Sequence, residues 1–402
     1  MATIHSFNGG ILICASSNVF LAKISRGGLS IHSSFNARGI LSSLSFCAGD
    51  LDNRKENLNI SKLDVDIQIL CSSVSNDESM VAIGTSEKAL VLLTTNELKV
   101  LKSVKIPKAP TSVVFDKDDS HIIVGDRAGH VCRYAVCESR NLGYTDMNGE
   151  ECSYEGEPLT GAISMILDVA VSNDGNFLFA ADRDEKIRVS RYPMTISNRV
   201  QAFVVQSYCL GHTAYVSSLA LCDDLLFSGG GDSVVIEWDV KHGKIVNQSA
   251  KLDKEPVRRV AILKKDGALF VIAVAGFSMY VLDRELHLVV KMKTSHIIMD
   301  VTVVDDGLLG VSSAGVTSFT LVGRSDAIDI PNEIYQALLN SKDPISTYFK
   351  NTVHQNTLDY YEKKEKKLQK KSRKDLTRKR KPVDVPKDVE QLKEITGTGP
   401  SC

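Results

Sequence analysis

Short apolar runs separated by turn-forming residues recur along most of the chain. Residues 210–239 show the pattern most fully, with apolar runs at 216–221, 225–227 and 234–238 and a Gly-Gly-Gly-Asp turn at 229–232. Short apolar runs bounded by Gly and Asp clusters predict β-strands joined by tight turns. The same strand–turn–strand–turn–strand order is repeated in other segments, which are residues 72–95, 112–136, 166–192, 260–283 and 299–322, with a fainter unit at 11–24.

The unit at 210–239 begins with Gly-His and ends with Trp-Asp. In this it resembles a WD repeat, one blade of a β-propeller. Such a blade holds a buried hydrogen-bonded set of His, Ser or Thr, Asp and Trp, and the matching residues here are His212, Ser228, Asp232 and Trp238. A buried polar network is tolerated only when every member is paired. We therefore interpret His212 as a structural residue rather than as a catalytic base.

One blade cannot bury both of its faces, so several blades are expected to close into a ring, which also removes exposed sheet edges. Seven units fit the sequence, while six or eight stay open because the first is faint and residues 25–62 are irregular. The predicted fold is all-β, a seven-bladed WD-repeat β-propeller over residues 1–326 with a short, partly helical basic C-terminal tail. The polar run 138–160 is predicted to be a loop inserted into the ring.

Beyond the ring, residues 327–381 are predicted to form a C-terminal extension. It contains a short helix, NEIYQALLN, after Pro331 and a basic helix that begins near Asn356, where Asp359 stands at capping-box spacing. Residues 382–402 have the low apolar content of a disordered tail.

Charge is distributed unevenly along a chain whose formal net charge is only -1. Residues 363–381 hold 12 Lys or Arg and two acidic residues, a local net charge of +10. Such a run can bind phosphates with salt-dependent affinity, serve as a nuclear import signal or be a solvated tail. The clusters KKSRK and RKRK favour a nuclear location, with the cytoplasm also open. The candidate RNA-binding residues are Lys370, Lys371, Arg373, Lys374, Arg378, Lys379 and Arg380.

Several classes of protein and site are disfavoured by the sequence. The nine cysteines include no C-x-x-C pair, which suits a reducing compartment and buried free thiols. No basic residue precedes the N-terminal apolar run, and no run approaches the ~18 apolar residues of a membrane helix. The chain has no phosphate-binding loop, H-E-x-x-H, G-x-S-x-G or paired Cys/His spacing. We expect a soluble intracellular protein with no catalytic residue, metal or cofactor of its own.

A dense group of charges lies in the unit before the WD-like one. Six of the seven residues 182–188 are charged. Because Ile187 and Val189 alternate with Arg188 along a predicted strand, Arg188 should point to the opposite face. Ser190 stands where the next unit has Trp238. From the residues alone, the group is either a solvated blade rim or an interaction surface, and both interpretations stay open.

A more specific resemblance is carried by DVAVSNDGNFLFAADRDEKIRVS, by CLGHTAYVSSLA and by the SGGGD…EWD turn and strand. Residues 164–240 resemble the WD-repeat, non-catalytic subunits of tRNA (guanine-N7)-methyltransferase, with looser similarity over the propeller and into YYEKKEKKLQKK. The resemblance implies a heterodimer in which the propeller binds a separate Rossmann-fold methyltransferase from the side and stabilises it. That partner would hold S-adenosylmethionine and form 7-methylguanosine in the tRNA variable loop.

The resemblance also implies roles for single residues. Arg188, the last residue of EKIR, matches the family's main contact with an acidic side chain of the catalytic subunit, and Lys186 and Arg183 become secondary contacts. The family often has Gly-His at the start of this blade, where the present sequence has LTGAIS. Contact with tRNA is expected through the complex, and no membrane contact is expected. The alternative is a general WD-repeat scaffold or substrate receptor in a ubiquitin-ligase or chromatin complex, which would need a docking motif outside 182–188.

Overall fold

A computed structural model describes residues 2–8, 10–25, 28–40, 67–137, 156–192, 204–304 and 307–349. In this part of the chain, 28 strands form seven four-stranded sheets, and every neighbouring pair of strands is antiparallel. Each sheet consists of four consecutive strands, the first innermost. The predicted seven-bladed β-propeller is therefore confirmed.

The strands are numbered in chain order and grouped by blade. Blade one contains β1 (Thr3–Phe7), β2 (Gly10–Ala15), β3 (Asn18–Ser25) and β4 (Gly28–Asn36). Blade two contains β5 (Ile69–Val74), β6 (Met80–Thr85), β7 (Ala89–Thr94) and β8 (Val100–Lys105). Blade three contains β9 (Pro110–Phe115), β10 (His121–Asp126), β11 (His130–Ala135) and β12 (Glu157–Gly161). Blade four contains β13 (Ile166–Val171), β14 (Phe177–Asp182), β15 (Lys186–Arg191) and β16 (Val205–Leu210).

The remaining blades follow the same order. Blade five contains β17 (Val216–Cys222), β18 (Leu225–Gly230), β19 (Val235–Asp239) and β20 (Lys244–Gln248). Blade six contains β21 (Val257–Lys265), β22 (Ala268–Ala275), β23 (Ser278–Leu282) and β24 (Leu288–Lys293). Blade seven contains β25 (Ile298–Val304), β26 (Gly307–Ser312), β27 (Gly315–Phe319) and β28 (Ser325–Ile328), and helix α1 (Asn332–Leu339) follows it.

Two segments differ from the sequence-based expectation. Residues 157–160, predicted as the end of a loop, belong to β12, and part of the irregular region 25–62 forms β4. Both are outermost strands whose residues are partly polar and partly exposed, so they carry no continuous apolar run. The predicted basic helix near Asn356 and the tail 382–402 lie outside the described residues.

The seven innermost strands contact one another in a closed circle, from β1 through β25 and back to β1. Side chains at equivalent positions of these innermost strands form hydrogen bonds with the neighbouring strand of the circle. Asp168 Oδ2 accepts from the Leu219 amide at 2.8 Å, and Asp300 Oδ2 accepts from the Ile4 amide at 3.0 Å, which links blade seven to blade one. Burial raises the pKa of both carboxyl groups, although nearby Arg259 and the backbone amides oppose that rise.

The segment after blade seven covers the junction between blade seven and blade one. Ile334, Ala337 and Leu338 of α1 are buried in an apolar cluster formed by these two blades. The Leu29 amide donates to the Asp329 carbonyl at 2.8 Å, which ties β4 to the chain just beyond β28. The end of the ring is thus held to its beginning by apolar packing and by backbone hydrogen bonding.

Residues 341–349, which we name the C-terminal strap, lie across the end of the central channel where the innermost strands begin. Arg258 Nη1 pairs with Asp343 Oδ2 at 2.5 Å, and Ile345 is buried beside Tyr215. Two aromatic rings at the end of the strap pack edge-on against Tyr215, with centroids 5.1 and 5.7 Å away. The strap and the innermost strands line a channel cavity of about 370 Å³.

A candidate interaction groove on blade four

The four predicted network residues lie together in blade five. Trp238 Nε1 donates to Ser228 Oγ at 2.7 Å, and Ser228 Oγ lies 2.8 Å from His212 Nε2. His212 Nδ1 faces Asp232 Oδ2 at 2.9 Å, so Nδ1 carries the proton and Nε2 accepts from the serine. Burial disfavours the charged form of Asp232, but hydrogen bonds led by that of His212 outweigh it, and the pKa of Asp232 is lowered.

Blade four lacks this network. The strand registers place Ala180 where blade five has its serine and Ser190 where blade five has its tryptophan. Ala162 follows Gly161 in the loop where blade five has Gly-His. The Ser190 hydroxyl is buried and has no hydrogen-bond partner among the described residues. Three residues with small side chains therefore replace a large, hydrogen-bonded set.

An open groove of about 510 Å³ lies between the outer edge of blade three and blade four, and two of these small residues, Ala162 and Ala180, line it. The glycine in each loop, Gly161 at blade four and Gly211 at blade five, shows how much more space blade four leaves. A Cβ added to Gly211 in blade five would come within 2.9 Å of the Trp238 ring, whereas a Cβ added to Gly161 would meet only a carbonyl oxygen, at 3.6 Å. The lining includes the cations Lys186 and Arg188, the acidic residues Asp182 and Asp184, and the apolar or small residues Gly161, Ile163, Tyr208 and Leu210.

Arg188 and Lys186 lie on the same face of β15 and both line the groove. The Arg188 guanidinium is half-buried, and its Nη1 donates to the Gly161 carbonyl at 2.8 Å. Lys186 is exposed, and its amide donates to Asp182 Oδ1 at 3.1 Å. The structure therefore brings two of the three predicted partner-binding residues together in one cavity.

Arg183, the third predicted partner-binding residue, lies on the turn between β14 and β15 and does not line the groove. Its amide donates to the Met165 carbonyl at 3.0 Å, and its Nε is buried without a hydrogen-bond partner in the described part of the chain. Burial also raises the pKa of neighbouring Asp182, although amide donors, including that of Lys186, oppose the rise.

The apolar edge of the groove was not predicted from the sequence. Ile163 is fully exposed, and Tyr208 and Leu210 are 45% and 60% exposed. Their positions in the chain have no shared periodicity that marks them as a group. The signal that could have found them is the loop LTGAIS, in which an isoleucine stands where the next blade has Thr213.

Two other features are absent from the described ranges. No group of three or more His, Cys, Asp or Glu residues there is arranged to hold a metal ion. No helix in that part of the chain is long and apolar enough to cross a membrane. The seven candidate RNA-binding residues, which lie between 370 and 380, are outside the described residues.

Comparison with protein families and curated proteins gives consistent matches. The family described as the tRNA methyltransferase TRM82 WD40 domain matches residues 136–314. A Caenorhabditis elegans protein named tRNA (guanine-N(7)-)-methyltransferase non-catalytic subunit is 33% identical over 331 residues, which cover 75% of this chain and 77% of that protein. A Homo sapiens protein with the same description, WDR4, is 32% identical over 179 residues, covering 44% of this chain and 39% of that protein.

Among solved structures, a chain of the one titled "Crystal Structure of Mitotic Checkpoint Complex" superposes with a TM-score of 0.58. The match covers 80% of this chain and 89% of that chain, at 14% sequence identity. At this identity the likeness concerns the propeller fold alone.

Proposed function

The chain belongs to the family of tRNA (guanine-N(7)-)-methyltransferase non-catalytic subunits, and on that premise we propose that it binds and stabilises the catalytic methyltransferase subunit as a heterodimer. The groove of blade four is the proposed docking site. The observation that carries this assignment is Arg188, held by the Gly161 carbonyl in a groove that small residues of blade four help to line. The catalytic subunit, rather than this chain, would bind S-adenosylmethionine and form 7-methylguanosine in the tRNA variable loop.

A carboxylate of the partner is the group that best complements this site. Guanidinium groups form short, directional pairs with carboxylates, and such pairs are stronger where water is partly excluded. Lys186 lies two residues away on the same face and adds positive charge at the groove. The closed ring holds the groove rigidly, so the partner would meet a preformed surface.

The first prediction is that Arg188→Glu disrupts co-purification with the catalytic subunit while the propeller stays folded. Removing one member of a buried, hydrogen-bonded charge pair typically weakens binding by ~2–5 kcal/mol, and a reversed charge adds repulsion. The measurement is co-purification and calorimetric titration of the two purified subunits. Arg191→Glu is the matched control, since Arg191 is an exposed arginine on the same strand but outside the groove. Wild-type affinity in Arg188→Glu would reject the docking site.

We further propose that residues 363–381 add sequence-independent tRNA affinity to the complex. Their local net charge of +10 motivates the proposal. Neutralised phosphates release counterions, so deleting this segment should flatten the plot of log affinity for tRNA against log salt concentration. Deleting residues 382–402, which lack such a run, is the control. A slope unchanged by the first deletion contradicts the RNA-binding role.

The same deletion tests localisation. We propose that the clusters KKSRK and RKRK direct the protein to the nucleus, as basic clusters of this spacing do. A fluorescent fusion lacking residues 363–381 should then shift toward the cytoplasm, while the fusion lacking residues 382–402 should behave like the full chain. Equal nuclear signal in both fusions argues against an import signal in this segment.

A further inference from the structure

We infer that Ile163, Tyr208 and Leu210 form an apolar rim that the catalytic subunit covers with apolar side chains flanking its carboxylate. This inference rests on the proposed function and specifies the chemistry of the partner segment. The catalytic subunit would thus recognise two features of the groove together, the positive charge at its centre and the apolar side chains at its edge.

The strand register sets each exposed apolar residue of β16 beside a cation of β15. Tyr208 lies directly opposite Arg188, and Leu210 lies directly opposite Lys186. Directly opposed residues of an antiparallel pair have Cβ atoms about 4.5–5.5 Å apart and project to the same face. The two cations and the two apolar side chains therefore form one patch rather than two separate surfaces.

Ile163 completes the patch from the other side of the groove. It is fully exposed in the loop between β12 and β13 and lines the same cavity as Tyr208 and Leu210. In blade five the corresponding loop residue, Thr213, is held by a 2.9 Å hydrogen bond from its amide to Asp232. The loop of blade four thus presents an isoleucine to solvent where the neighbouring blade presents a threonine bound into a network.

Exposed apolar residues occur singly on most protein surfaces, but a group around one cavity indicates a binding surface. Several departures of blade four from blade five fall in this groove. Ala162 and Ala180 line the groove with small side chains, Arg188 stands where β19 has an isoleucine, and Ile163 lines the edge. Interfaces of this kind place charges for orientation and use apolar contact for affinity.

The experiment measures the affinity of full-length variants for the purified catalytic subunit by calorimetry. Leu210→Asp and Ile163→Asp should each raise the dissociation constant at least tenfold with Arg188 intact. Leu101→Asp and Leu288→Asp are matched controls, since these leucines are 51% and 53% exposed on the outermost strands of blades two and six. Both controls should stay within twofold of wild type. Thermal melts should be unchanged in all four variants because the substituted side chains are exposed.

A second readout is the heat capacity change of binding. Burial of apolar surface makes this change negative. We expect a negative value for wild type and a smaller magnitude for Leu210→Asp, whereas Arg188→Glu measured at high protein concentration should alter mainly the affinity.

The outcomes separate the inference from the proposed function. If Arg188→Glu abolishes binding and the rim variants behave like the two controls, the apolar rim is wrong and the docking groove stands. If neither Arg188→Glu nor the rim variants weaken binding, the groove is not the docking site and both proposals are wrong. If the rim variants and the controls weaken binding alike, added negative charge rather than lost apolar contact is responsible, and the inference is rejected.

Discussion

At the scale of single residues, Ser228 is the centre of the polar network in blade five. Its oxygen accepts from Trp238 Nε1 and its hydroxyl donates to His212 Nε2, so one small side chain satisfies two large ones. Both neighbours are buried. A buried donor or acceptor that loses its partner destabilises the folded state by the desolvation of that group.

Ser228→Ala should therefore lower the free energy of unfolding by about 2–4 kcal/mol, because it leaves two buried groups unpaired. Urea denaturation followed by fluorescence measures this directly, since Trp238 is the single tryptophan of the chain. Ser190→Ala is the control, because the Ser190 hydroxyl is equally buried but has no partner among the described residues. Equal losses in the two variants would mean that the network contributes nothing beyond the serine oxygen itself.

At the scale of elements, the predicted units cover the three inner strands of blades two to seven but only the two middle strands of blade one, and they miss the outermost strands. Inner and middle strands are covered by neighbouring blades, so they carry apolar runs such as Leu178–Ala181, which are all buried. The outermost strands face solvent, and in β20 four of the five residues are exposed. A strand that is exposed on both faces carries no hydrophobic period, and its pairing partner is set only by the tertiary fold.

The groove illustrates the same limit. Arg188 could be singled out from the EKIR string, and the network residues from the Gly-His and Trp-Asp pairs. The contact of Arg188 with Gly161 joins residues 27 positions apart, and Leu210 reaches the groove only because β16 pairs with β15. The candidate charges were thus visible in the sequence, while the cavity that gives them a role depends on pairing between distant segments.

At the scale of the whole molecule, the ring must be closed between its first and last blades. Every described blade is made of consecutive strands, so closure depends on packing between blades one and seven. The 3.0 Å hydrogen bond from the Ile4 amide to Asp300 joins the innermost strands of these blades, and α1 packs against both of them. The C-terminal segment is therefore part of the propeller's stability and not merely a connection to the basic tail.

Leu338→Ala tests this role of α1, because Leu338 is fully buried between the two blades. Truncating a buried leucine to alanine typically destabilises a protein by about 2–5 kcal/mol. Leu339→Ala is the matched control, since the neighbouring leucine is 48% exposed and its loss should change stability by less than about 0.5 kcal/mol. Denaturation midpoints of both variants decide the matter. If Leu338→Ala unfolds like Leu339→Ala, the helix does not hold the ring closed. If the Leu338→Ala variant is destabilised yet binds the catalytic subunit normally below its melting temperature, closure of the ring and docking of the partner are independent properties.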